Sequence, residues 1–262
     1  MFRWRWYFLS LLLGFLFTAH AHAQSGFVYL LPHQDDEMFL AGSIAHNVQA
    51  GKKVYAVIVT DGSASKVFGW LNQLAKSTRA VDCLKNQCRG FPGQLLTPLT
   101  IRQFIEARNR EFIASMETLG VPRSHIILAN TSSTLEADHN SFRDGHLTVP
   151  AASTLIRELS KELGMETFVT LISDPTHPEH PDHRTLSIAL QNASEIKDKI
   201  FYSEDPIYSL PIKLSLAERR AKIKALDQYF VWNPKQGRYA IAAHSVRKLL
   251  LAWQYRHFEY VL

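Results

Sequence analysis

The segment Phe27-Val28-Tyr29-Leu30-Leu31-Pro32-His33-Gln34-Asp35-Asp36-Glu37 decides how the chain reads. Its apolar opening, Phe27 to Leu31, has the length and continuity of a buried strand. A histidine and three acids follow at once. From Met38 to Ala50 the apolar residues then recur with helical spacing, closed by Gly51. Charged side chains at such a strand-to-helix junction meet the free N–H groups and positive dipole end of the helix, which favour negative charge. Helix capping accounts for one aspartate, with Glu37 as its capping partner. It leaves a second adjacent acid and the histidine unexplained.

Outward from this junction, apolar runs and helix-period stretches alternate. Val54 to Thr60 reads as a β-branched strand ended by Asp61-Gly62, and Ile101 to Leu119 as a helix stopped by Gly120 and Pro122. His125 to Ala129, Thr167 to Ile172 and Lys199 to Tyr202 read as further strands, separated by helices at Pro150 to Leu163 and Arg184 to Ala193. This order predicts an α/β fold, a mostly parallel sheet with helices on both faces. Ligands of such sheets bind beyond the carboxyl ends of the strands. Residues 63–100 form a connection far longer than an ordinary loop, read as a partly helical insertion near that edge. Beyond Asp205, Leu214 to Tyr229 and Ser245 to Tyr255 carry helical signals and are expected to pack on the sheet.

A second chemical cluster follows the strand ending at Ile172: His177-Pro178-Glu179-His180-Pro181-Asp182-His183-Arg184. Imidazoles and carboxylates crowded together, with no thiol nearby, are metal-site chemistry of the His/Asp type that keeps an open coordination position. Taken alone, a histidine-rich surface turn reads the same way. Two such clusters at one predicted sheet edge point to a single site.

Pro32-His33-Gln34-Asp35-Asp36-Glu37 and His180-Pro181-Asp182-His183 resemble the two motifs of the PIG-L/LmbE-like de-N-acetylases, Ala/Pro-His-Pro-Asp-Asp-Glu and His-Pro-Asp-His. The resemblance runs from about Phe27 to about Ser203. It implies a Rossmann-like metal hydrolase acting on N-acylated sugars, with zinc, or alternatively ferrous iron, as the ion. It further implies His33, Asp36 and His183 as metal ligands and Asp35 as the general base. His180 is implied as the group that stabilises the oxyanion and protonates the leaving amine. Gln34 departs from the usual proline, for which an altered turn is expected rather than lost activity. Arg108 matches a substrate-contacting arginine, although Arg108 and Glu111 also read as an ordinary pair on a helix surface. Asp144 matches a carboxylate that bonds sugar hydroxyls, or is simply turn chemistry. His177 is open between a role behind the ligands, a substrate contact and loop structure. Glu259 is only a faint echo of the family's closing motif. A hydrolase of another acyl amide and a non-catalytic glycan-binding protein are the competing readings.

The N-terminus reads as an export signal. Arg3 and Arg5 precede an apolar run from Tyr7 to Phe17, and Ala21-His22-Ala23 offers a cleavage site before Gln24. The run is shorter than the roughly 20 residues that span a bilayer, so no stable membrane span is expected after cleavage. Residues 1–23 are therefore expected to be a signal peptide and residues 24–262 one exported domain, periplasmic or secreted. In such a compartment the only two cysteines, Cys83 and Cys88, suggest a local disulfide. The formal net charge of +5 comes with no dense basic run, which argues against nucleic acid as a partner.

Overall fold

The computed structural model describes residues 26–76, 97–131, 142–172, 180–207 and 209–262. Strands β1 (Gly26–Leu31), β2 (Lys53–Ile58), β3 (Ile126–Leu128), β4 (Thr167–Leu171) and β5 (Asp198–Tyr202) are all parallel. Strands β6 (Leu210–Lys213) and β9 (Phe258–Val261) extend the sheet, β9 running antiparallel to both β5 and β6. The spatial order is β3-β2-β1-β4-β5-β9-β6, and β7 (Trp232–Asn233) and β8 (Arg238–Tyr239) form a separate ribbon. The chain order reverses between β1 and β4. The crevice at that reversal is the expected ligand site of an open parallel sheet.

Each central strand has apolar side chains on both faces, and each face carries its own core. Tyr29 and Leu31 of β1 pack with residues of α1 (Ala41–Gln49), α3 (Ile101–Thr118), α6 (Leu216–Asp227) and α8 (Arg247–Gln254). Val28 and Leu30 pack on the other side against α4 (Val149–Leu163) and α5 (Pro181–Asn192). A period of two in a strand buried on both sides explains why the sequence shows a continuous apolar run rather than an alternating one. Helix starts follow local chemistry. Thr100 and Gln103 form a reciprocal capping box at α3, and Thr148 caps α4, which ends on Gly164 at φ 63°.

Two expectations need correction. The helix read from Met38 to Ala50 is two elements, a 3₁₀ turn at Asp36–Phe39 and then α1. The Asp36 side chain accepts from His33 N at 2.7 Å, which tightens the first turn, and Leu40 at φ −144° interrupts the spiral. The C-terminal region is also not purely helical, since β6 and β9 close the sheet there. The long connection after β2 begins with α2 (Val67–Lys76). Residues 77–96, with Cys83 and Cys88, residues 1–23, expected to be a signal peptide, and His177 all lie outside the described residues. Among the described residues no helix is long and apolar enough to cross a membrane.

Candidate active site

Both clusters arrive at the crevice beside the reversal of strand order. β1 ends at Leu31 and its loop is pinned to the next strand: Val59 N donates to Leu31 O, and Thr60 N to Pro32 O. The second cluster is placed by the start of α5. His180 is its N-cap and accepts from Asp182 N, while Pro181, which lacks an N–H, opens the helix. One turn later His183 faces the β1 loop.

There His33 Nδ1, Asp36 Oδ2 and His183 Nε2 converge. His33 Nδ1 lies 3.2 Å from His183 Nε2 and 3.3 Å from Asp36 Oδ2, and His183 Nε2 lies 3.2 Å from Asp36 Oδ2. Donors about 2.0 Å from one tetrahedral ion stand about 3.3 Å apart, so the spacing suits a first-row divalent metal. The opposite nitrogen of each imidazole meets a carboxylate: His33 Nε2 at 3.3 Å from Asp182 Oδ2, and His183 Nδ1 at 3.3 Å from Glu204 Oε1. Such outer carboxylates fix the tautomer and aim the free nitrogen, the usual support of metal-binding histidines. All three donor residues are buried. Burial alone would push the Asp36 carboxyl up, but the His183 and His33 imidazoles hold it well below the ordinary range. The pocket is built to hold positive charge.

Asp35 stands beside this group at 6% exposure, with Arg108 Nη2 3.4 Å from its Oδ1. Burial raises the Asp35 carboxyl above its ordinary value against the opposing pull of Arg108, and the neighbouring Asp36 charge adds to the rise. Arg108 also donates through Nη1 to Gly62 O at 2.7 Å. Gly62 sits at φ +63°, and a Cβ there would lie 2.2 Å from Arg108 Nη1, so the turn favours glycine.

Asp144 is placed next to two imidazoles, its Oδ1 3.4 Å from His33 Nε2 and 3.2 Å from His180 Nε2. Its position is set by Asp61, whose Oδ1 accepts from Asp144 N at 2.9 Å. His180 itself is partly open, with 39% of its side chain exposed. The crevice forms a cavity of about 550 Å³. Asp35, Asp36, His180 and His183 line one side, and Met38, Phe39, Ile172, Val246 and Leu249 supply an apolar wall.

The structure thus brings His33, Asp35, Asp36, His180, His183, Arg108 and Asp144 into one place. Arg108 and Glu111 are both buried and are not a helix-surface pair. Glu111 is buried and accepts from Ile241 N at 2.9 Å, capping the short helix α7 (Ile241–Ser245). Burial pushes its carboxyl up to about 7, against the pull of those backbone N–H groups. Three contributors escaped the sequence reading. Asp182 lay in plain view inside His-Pro-Asp-His, where the only signal was the motif itself. Glu204 and Asn109 had no local signal, because their partners come from distant segments. Gln34 was read as turn chemistry, yet its side chain is buried and bonded.

A family model described as GlcNAc-PI de-N-acetylase (PIG-L) matches residues 28–194. Among solved structures, a deacetylase of the teicoplanin biosynthetic pathway is 17% identical with a TM-score of 0.57, covering 86% of this chain and 88% of that one. The A40926 pseudoaglycone deacetylase is 18% identical with a TM-score of 0.54, covering 91% and 96%. The N,N'-diacetylchitobiose deacetylase from Pyrococcus horikoshii is 17% identical with a TM-score of 0.50, covering 91% and 83%. At these identities the likeness is one of fold. No curated protein matches the sequence.

Proposed function

Because this chain belongs to the GlcNAc-PI de-N-acetylase (PIG-L) family, we propose that it is a divalent-metal hydrolase that removes the acetyl group from an N-acetylated amino sugar or glycoconjugate. The observation that carries this reading is the meeting of His33 Nδ1, Asp36 Oδ2 and His183 Nε2 within 3.3 Å of one another beside an acid outside that trio, Asp35. These three residues would hold the ion. Two imidazoles and one carboxylate are the donor set that zinc prefers and ferrous iron also accepts. When bound, such an ion polarises a carbonyl and makes water more acidic.

The chain's own groups carry the proton traffic. Asp35 takes the proton of the attacking water at its carboxylate, and its raised pKa suits a base that must later give the proton up. Arg108 holds Asp35 in place from the side of α3. His180 Nε2, at the open mouth of the site, stabilises the developing oxyanion and delivers a proton to the departing amine nitrogen. Asp144 Oδ1, 3.2 Å from His180 Nε2, steadies the ring. Its remaining lone pairs, with the remaining N–H groups of Arg108, are assigned to the substrate.

The charged and apolar pattern of residues 3–17 and the Ala21-His22-Ala23 sequence support export, with residues 24–262 as the mature periplasmic or secreted chain and a Cys83–Cys88 disulfide as the expected pairing there. The apolar wall of Met38, Phe39, Ile172, Val246 and Leu249 favours one second reading, an amide whose acyl group is longer than acetyl. One experiment addresses both. Mature protein loaded with zinc or ferrous iron is incubated with N-acetylated oligosaccharides and with longer acyl amides, and free amine is read by mass. Release from the acetylated sugars is expected. Release only from the longer amides would replace the first reading with the second, and no release from either would end both.

A further inference from the structure

Where the family pattern carries proline, this chain carries Gln34, a residue only 1% exposed. Its Nε2 faces three oxygens: Asn109 Oδ1 at 2.9 Å, Asp61 O at 3.2 Å and Thr60 O at 3.4 Å. The two backbone carbonyls can only accept, which fixes the amide orientation and makes Asn109 an acceptor as well. Gln34 and Asp35 are neighbours on the β1 loop, and Asn109 and Arg108 are neighbours on α3. Two adjacent residues of the loop therefore grip two adjacent residues of the helix, through Gln34–Asn109 and Asp35–Arg108. The turn carrying Gly62 is clasped between them, since Gln34 holds Asp61 O and Arg108 holds Gly62 O. A Cβ on Gly62 would lie 2.2 Å from Arg108 Nη1 and 2.3 Å from Gln34 Oε1, so both side chains close on the same spot.

We propose that Gln34, with Asn109, is a positioning residue that sets the height of α3 against the β1 loop and so delivers the Arg108 guanidinium to Asp35. The inference rests on the assignment of Asp35 as base. A proline at position 34 has no donor with which to reach Asn109 or the Thr60–Asp61 carbonyls. In this chain the register of loop and helix is set by a buried amide instead. Because Gln34 acts through Arg108, its removal costs nothing further once Arg108 is gone.

The test is a double-mutant cycle on the zinc-loaded mature protein, with N,N'-diacetylchitobiose as the probe. Gln34→Met is expected to lower kcat roughly 10- to 100-fold, the penalty of a misplaced catalytic group, with zinc content unchanged. Arg108→Met lowers it at least as far, and the double variant equals Arg108→Met alone. Asn109→Leu behaves like Gln34→Met, whereas Asn109→Asp, which keeps the acceptor, retains most of the activity. Multiplying losses in the double variant, or full activity in Gln34→Met, overturns the proposal. A second measurement needs no substrate. Side-chain ¹⁵N spectra of the wild type should show a slowly rotating guanidinium, assigned through Arg108→Met, that Gln34→Met broadens or shifts. An Arg108 signal unaltered by Gln34→Met overturns the proposal even if the probe is not turned over, a result that would count against the activity rather than the clasp.

Discussion

Lys222→Met should destabilise the protein far more than an ordinary single substitution. The Lys222 ammonium on α6 donates to Glu259 Oε1 on β9 at 2.8 Å, and both side chains are fully buried. Glu259 in turn receives Gly42 N at 2.7 Å, Ser43 N at 2.9 Å and Ser43 Oγ at 2.7 Å, so one carboxylate joins the last strand to the first turn of α1. Methionine keeps the packing of the lysine stem and removes only the charge. At an effective dielectric near 20, the attraction across such a distance is about 6 kcal/mol, and stripping one partner from a buried pair typically costs about 3–5 kcal/mol. Three neutral donors remain on the carboxylate, which places the expected loss near the lower end, about 3 kcal/mol. For a chain of this size that is a fall in Tm of roughly 6–12 °C. Urea unfolding at fixed metal concentration measures it, because bound ion adds its own stabilisation. Combining Lys222→Met with Glu259→Gln removes the unpaired charge and should recover about 2 kcal/mol relative to the sum of the single losses. A loss under about 1 kcal/mol for Lys222→Met, or strict additivity in the pair, would refute the reasoning.

Asp35→Asn should retain metal while turnover falls by roughly 10²–10⁴, the range of a lost general base; full turnover in a metal-loaded variant removes Asp35 from that role. His183→Ala leaves two donors and should abolish stoichiometric zinc binding in equilibrium dialysis, and unchanged affinity would mean the ion sits elsewhere. The pH dependence of stability has a defined sign at Glu37. Burial pushes its carboxyl up to about 8, against the Ser115 hydroxyl that donates to Oε1 at 2.7 Å. Between about pH 4.5 and 8 the folded chain therefore keeps a proton that the unfolded chain releases, and stability falls as pH rises by up to about 1.4 kcal/mol per unit. Glu37→Gln, neutral at every pH, should flatten that slope in denaturation series from pH 5 to 9. A slope identical to wild type would show that Glu37 is already ionised in the fold.

The parallel half of the sheet was legible because its strands are unbroken apolar runs punctuated by Gly62, Gly120, Gly164 and prolines. The antiparallel edge was not. Leu210-Pro211-Ile212-Lys213 is short and carries a proline, which an edge strand tolerates and which hides it from pattern reading. Strand β9 follows directly on helix α8 and has no turn signal of its own beyond His257. The same contrast holds in the site. Residues within the two motifs were legible as chemistry because they are contiguous. Asn109, Glu204 and the Lys222–Glu259 pair were illegible because their partners lie in other elements. Glu259 reaches Gly42 across 217 positions.

Glu259 shares a physical task with three other buried acids. Asp61 holds Ser63 N and Asp144 N; Asp182 holds Gly145 N and Leu147 N; Glu259 holds Gly42 N and Ser43 N; Glu111 holds Tyr239 N, Ile241 N and Ala242 N. Each is a buried carboxyl group used to fix backbone that secondary structure leaves unpaired. The consequence is electrostatic. Asp35, Asp36, Asp144 and Asp182 gather around the crevice, and among the described residues ion-paired with them Arg108 is the permanent cation. A low-dielectric pocket with that surplus of negative charge favours additional positive charge at its centre. The centre is where His33, Asp36 and His183 present their donor atoms. Asp36, Asp144 and Asp182, each of which also accepts a backbone N–H, therefore both shape the loops and set the field that favours a divalent ion there.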